Sequence, residues 1–150
     1  MGIRFFYKNI FFGNDVKYIL LKTIYKHMET TMTTALETEH VKWLVSIDLF
    51  KQQLKLMDKE IAEFVSGKYP KSLAPRIEQF QNQIIRQREV LDILRHDIKS
   101  HENEIERMTN FALEYLRDRV TREHIGLKTQ YNRFVELFLE LELDFHDFIS

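Results

Sequence analysis

Histidine offers this chain most of its chemistry, and three copies sit on stripes that otherwise read as buried core. His40 belongs to Leu36, His40, Trp43, Ile47, Phe50, Leu54, Met57, Ile61 and Phe64. His101 belongs to Leu73, Ile77, Phe80, Ile84, Gln87, Leu91, Leu94, Ile98, His101, Ile105 and Met108. His124 belongs to Val120, His124, Leu127, Tyr131, Phe134, Phe138, Leu141, Phe145 and Phe148. Neutral imidazole suits zinc, iron, copper or nickel, and three rings from three helices define most of a coordination sphere. Carboxylates stand at helical spacing from the rings. Glu37 precedes His40 by three positions, Glu104 follows His101 by three, and Asp97 precedes His101 by four. Acid and imidazole then share a helical surface, so a carboxylate could serve as a fourth ligand or hold a ring from outside. His40, His101 and His124 are the candidate ligands, with Glu37, Asp97 and Glu104 in support, for zinc or iron.

A plainer account makes the same histidines a polar layer near one end of the core, where a ring reaches water or a carboxylate. Even then the layer is pH-sensitive, because charging near pH 6 puts like charges together. Di-iron helical bundles use two Glu-x-x-His motifs and two further glutamates. Glu37-x-x-His40 is the one such motif here, so that comparison fails. His96 and His146 fall on outer faces and His27 in the N-terminal segment, which makes them surface residues. No Gly-rich phosphate loop, nucleophile elbow or His-Glu-x-x-His run is present, and Trp43 is simplest as a core aromatic. Catalysis would need a metal with an open position, so the sequence leans away from an enzyme.

The elements that must position these rings follow from the alternation of four- and three-residue steps, which puts each stripe on one helical face. The first main helix is expected to start near Thr33 or Thr34 and stop before Gly67, with Pro70 just beyond. Ser72 is expected to cap the second helix, which tolerates Pro75 in its first turn and runs to about Met108. Thr109-Asn110 is the best second break, so the third helix starts between 111 and 120 and runs to about Ile149. Short connections force neighbours antiparallel. Folding back sets Phe64 level with Ile77, His40 level with His101, and His124 opposite a residue between 97 and 101. The expected fold is all-α: an antiparallel bundle of three long amphipathic helices with coiled-coil-like seams. Gln87, the other polar interruption, is expected to hydrogen-bond a neighbour and fix register.

At 150 residues, twelve of them Phe, and with net charge −1, residues 28–150 have the size and composition of one packed domain. A near-neutral balance argues against nucleic-acid capture, and the arginines around 107–122 are interleaved with acids. There is no cysteine, which excludes disulfides and thiolate sites and fits a cytoplasmic setting. Residues 1–27 differ: they contain no Ala, Glu, Gln, Ser or Pro. Asp15, Lys17 and Lys22 leave no membrane-spanning run. Lys8 breaks the apolar stretch a signal peptide would need. Val16–Met28 could form a short extra helix with Ile19, Leu20, Ile24 and Tyr25 inward. The residue types are also those of AT-rich codons, and we read 1–27 as upstream sequence before a start at Met28 or Met32.

Leu137, Leu139, Leu143 and Ile149 make the third helix apolar beyond its seam, so it wants neighbours on more than one side. A homodimer, or a protein partner through this helix, would cover the remainder. Glu39-His40-x-x-Trp43, Phe80-Gln81-Asn82-Gln83, Leu94-x-His96-Asp97-Ile98-x-x-His101 and Phe145-x-x-Phe148 resemble a group of small bacterial helical-bundle proteins with no assigned activity. The likeness covers residue 38 to the C-terminus; members often have histidine where this chain has Gln79. It implies the bundle and no chemistry. The leading expectation is therefore a non-enzymatic interaction or scaffold protein that self-associates, and the alternative is a metal-binding bundle with a three-histidine core site.

Overall fold

The computed structural model describes residues 3–110 and 114–149, with side chains described over 16–110 and 115–149. Three long helices carry the chain: α1 spans Ile3–Ser66, α2 Ala74–Asn110 and α3 Arg117–Ile149. Short 3-10 turns at Lys71–Leu73 and Glu114–Leu116 precede α2 and α3. Among the described residues no strand occurs, and no helix is long and apolar enough to cross a membrane. The chain divides into two compact units, Met1–Thr38 and Glu39–Ser150.

In the first unit the helix does not begin at Thr33 or Thr34 as the sequence suggests. No proline or glycine interrupts residues 14–66, so nothing forces a break. The threonines expected to cap instead bond back into the helix: Thr34 Oγ1 donates to the Thr30 carbonyl at 2.8 Å, and Thr38 Oγ1 to the Thr34 carbonyl at 2.7 Å. Back-bonding satisfies the hydroxyls without ending the ladder. The inward face expected for Val16–Met28 is not formed either: Ile19, Leu20, Ile24 and Tyr25 are all exposed.

The second unit is the bundle. Pairings between α1 and α2 descend along one helix as they rise along the other, from His40–His101 through Asp48–Arg95 and Lys51–Asp92 to Asp58–Arg88. The two are antiparallel. α3 runs back against α2, with Phe80 packed on Phe145 (ring centroids 5.5 Å apart) at one end and His101 beside His124 at the other. α1 ends at Ser66, and the Gly67 N–H closes onto the Phe64 carbonyl at 3.3 Å. Ser72 does not cap α2. It lies inside the 3-10 turn, which the Leu73 N–H closes on the Pro70 carbonyl at 2.9 Å.

Ile47, Leu54, Phe80, Ile84, Leu91 and Ile98 are fully buried along the seams. Each such side chain contributes roughly 1.5–3 kcal/mol of transfer free energy. Phe50 wedges between Phe134 and Phe138, and Phe148 meets both Phe64 and Phe80. Gln87 departs from expectation, since its Oε1 is buried with no hydrogen-bond partner.

Candidate metal centre

Near the end of the bundle formed by the start of α3, the seams supply one histidine each. His40 is 0 % exposed, His101 3 % and His124 6 %. Each is flanked along its helix by apolar seam neighbours: Trp43 and Ile47 after His40, Ile98 and Ile105 around His101, Val120 and Leu127 around His124. Helical packing therefore fixes the depth of all three rings. Their centroids lie 5.0 Å (His40–His101), 5.1 Å (His40–His124) and 5.6 Å (His101–His124) apart, a compact triangle. One nitrogen from each ring lies within 4.8 Å of the others. Trp43 forms a wall, stacked on His124 at 5.1 Å and on Tyr131 at 5.4 Å.

The partners on the outer side of each ring decide where the protons sit. His101 Nε2 is 2.8 Å from the Val120 carbonyl, which can only accept, so this nitrogen carries the hydrogen. His124 Nε2 is 2.7 Å from Glu39 Oε2 and likewise donates. In the neutral rings the lone pairs therefore sit on Nδ1 of both, and both Nδ1 atoms lie 3.2 Å from His40 Nε2. His40 Nδ1 is buried without a hydrogen-bond partner, its nearest acid being Glu102 Oε1 at 4.0 Å.

Two arrangements of His40 compete. If Nε2–H is shared between the two Nδ1 lone pairs, the Nδ1 lone pair of His40 is left facing a carboxylate, acceptor against acceptor. If Nδ1 carries the hydrogen toward Glu102, three lone pairs meet, and only a cation between them relieves the repulsion. A proton is a poor candidate. Burial, with His101 and then His124 beside it, pushes the His40 imidazole down to about 4. Burial lowers His101 as well, opposed by the Val120 carbonyl that holds its N–H. A tetrahedral zinc ion with Zn–N near 2.0–2.1 Å needs nitrogens about 3.3 Å apart. Two of the three separations, both 3.2 Å, match that requirement, and the cluster as a whole lies within 4.8 Å.

The surrounding acids are arranged differently from the sequence expectation. Glu39 bridges His124 Nε2 and, at 2.6 Å, Lys128 Nζ; those two donors hold its carboxyl below the usual range. Glu102 faces His40 and takes Lys99 at 2.7 Å on its other oxygen. Helical spacing from the histidines singled out neither residue as a supporting acid. Glu39 is adjacent to His40 in sequence and reaches α3, where His124 and Lys128 stand one turn apart. Only the cross-helix register, set by where α3 starts, reveals that contact.

Of the supporting acids named from spacing, Asp97 bonds His96 Nδ1 at 3.0 Å, and Glu104 is held by Arg107 at 3.3 Å and Arg119 at 3.5 Å. Glu104 acts on His101 only through its field. Glu37 is exposed and lies in the first unit. His27, His96 and His146 are exposed, as their positions off the seams imply. Compared with protein-family models, with curated proteins and with solved structures, the chain gives no significant match in any of the three.

Proposed function

We propose that this protein is a metal-binding helical bundle that holds one divalent transition ion between His40 Nε2, His101 Nδ1 and His124 Nδ1. The observation that carries the reading is the outer hydrogen-bonding of the rings. A carbonyl on His101 and a carboxylate on His124 turn two lone pairs inward onto a third ring whose other nitrogen faces Glu102. Metal-ligating histidines characteristically donate their second N–H to such acceptors, which fixes the tautomer and raises ligand basicity. Three neutral imidazoles with the carboxylates kept outside suit zinc better than non-haem iron, which favours a carboxylate in its first shell.

The test is elemental analysis of the purified chain, followed by thermal melting after chelation and after zinc is restored. One equivalent of metal is expected. At free metal about one-hundred-fold above Kd, the linkage stabilises the fold by about 2.7 kcal/mol. For a chain of this size that is roughly 5–10 °C in Tm, absent in His101→Ala. Protein purified without bound metal, and with a Tm indifferent to zinc, iron and chelator, overturns the reading.

A second reading, self-association as an interaction protein, is favoured by one feature of α3. Leu139 and Leu143 remain exposed, at 49 % and 68 %. Side chains one turn apart on one helix form a contact that a second copy could cover. Light scattering across concentration tests it; a strict monomer at high concentration overturns it.

A further inference from the structure

An ion held by three imidazoles is either sealed by a fourth protein ligand or keeps a position for an exchangeable one. The neighbouring carboxylates are all committed elsewhere. Glu39 is spent on His124 and Lys128, Glu102 on Lys99 and the outer side of His40, Glu104 on Arg107 and Arg119, and Glu123 on Arg119 at 2.8 Å. Among the described residues, no Asp or Glu oxygen joins the three imidazole nitrogens as a fourth donor. Closed zinc sites use four protein ligands, whereas three leave a position for water or substrate.

One side of the cluster borders a surface groove. A groove of about 350 Å³ runs between α2 and α3, and His101 lines it together with Asp97, Glu104, Arg119 and Glu123. Gly126 stands on the groove wall, and a Cβ built there would meet nothing within 4 Å. At the groove mouth Glu104 and Glu123 are paired with Arg107 and Arg119, and Asp97 accepts from His96, so small anions as well as neutral molecules can approach. The rings themselves are almost fully buried and Trp43 stacks on His124, which limits any ligand beside them to a few atoms.

We propose, resting on the metal reading above, that the ion keeps a fourth coordination position occupied by water, exchangeable with other ligands of two or three atoms that arrive through the α2–α3 groove past Gly126. The site is then an open metal centre rather than a structural staple. An ion held by His40, His101 and His124 would supply Lewis-acid chemistry to a small molecule reaching it.

The experiment uses the full chain stripped with chelator and loaded with one equivalent of cobalt(II), whose visible bands report coordination. Sodium azide and, separately, cyanate are the probes. The expected result is a saturable, one-to-one spectral change with cobalt retained on the protein. In Gly126→Phe, with Gly126→Ala as the folding control, the azide-induced change develops roughly tenfold more slowly, because the added ring fills part of the groove that His101 lines. Cobalt that binds stoichiometrically but leaves azide and cyanate without spectral effect overturns the open position while sparing the metal reading. Azide that acts equally fast on wild type and Gly126→Phe overturns the groove route. Failure to bind cobalt at all overturns both.

Discussion

Lowering the pH should destabilise the metal-free bundle through His40 before the carboxylates titrate. In the folded chain its imidazole sits at about 4, against an ordinary value of 6.5. Between these values the unfolded chain binds the proton and the folded chain resists it, so stability rises with pH. The stabilisation from keeping this ring neutral is complete above the ordinary value and is lost as pH falls toward 4. Integrated from about pH 7.5 to about pH 4.5, the loss is roughly 2–3 kcal/mol from His40. His101, lowered by burial, adds to it with the same sign. Glu39 is also lowered, but its contribution disappears only below its ordinary value of 4.5, where the histidine effect is nearly exhausted. The assay is urea unfolding followed by far-UV circular dichroism, in chelator so that metal linkage is excluded. With a urea slope near 1–3 kcal/mol/M, the midpoint should fall by roughly 1–2 M across that range. His40→Gln, which cannot titrate, should lose most of the dependence. A midpoint that is level from pH 7.5 to 5, or that falls equally in His40→Gln, would refute the claim that burial keeps this ring uncharged.

Glu39→Ala removes the acceptor that orients His124, and zinc affinity measured by competition with a chromophoric chelator should drop about 10–100-fold. Gln87→Leu removes a buried unpartnered oxygen, so the urea midpoint should rise, corresponding to roughly 1 kcal/mol. Phe80→Ala empties the fully buried position between Phe145 and Phe148 and should destabilise the bundle by about 3–5 kcal/mol in the same assay. Under the self-association reading, Leu139→Lys with Leu143→Lys should give a monomer by light scattering with little change in Tm, since both side chains are exposed.

What could be read from the chain alone was the periodicity of the three seams, though not of Val16–Met28, whose apolar residues are exposed. The 4-3 stripes named the buried face of each helix, and Ile47, Leu54, Phe80, Ile84, Phe134 and Phe145 all lie in the core. The Gly67-Lys-Tyr-Pro70 stop and its short connection imposed the reversal that brings His40 against His101. These features are local, because a helix face is determined by spacing and a turn by its glycine and proline. The N-terminal boundary was misread for a local reason too. Threonine serves equally as a cap or as a back-bonded helix residue, and its sequence does not choose between them.

Tertiary structure decided the chemistry around the rings. Asp97 and Glu104 stand at helical spacing from His101, yet His96 and two arginines claim them, while Glu39 and Glu102 reach the cluster. Spacing along one helix says which side chains are neighbours on its own surface. Which of them meets an imidazole on another helix depends on the axial register and rotation of two rods, which are set by packing of the whole core. The Val120 carbonyl shows this most plainly. No side-chain pattern could mark a backbone oxygen as the group that fixes the His101 tautomer, and it does so only because α3 is packed against α2 at that level.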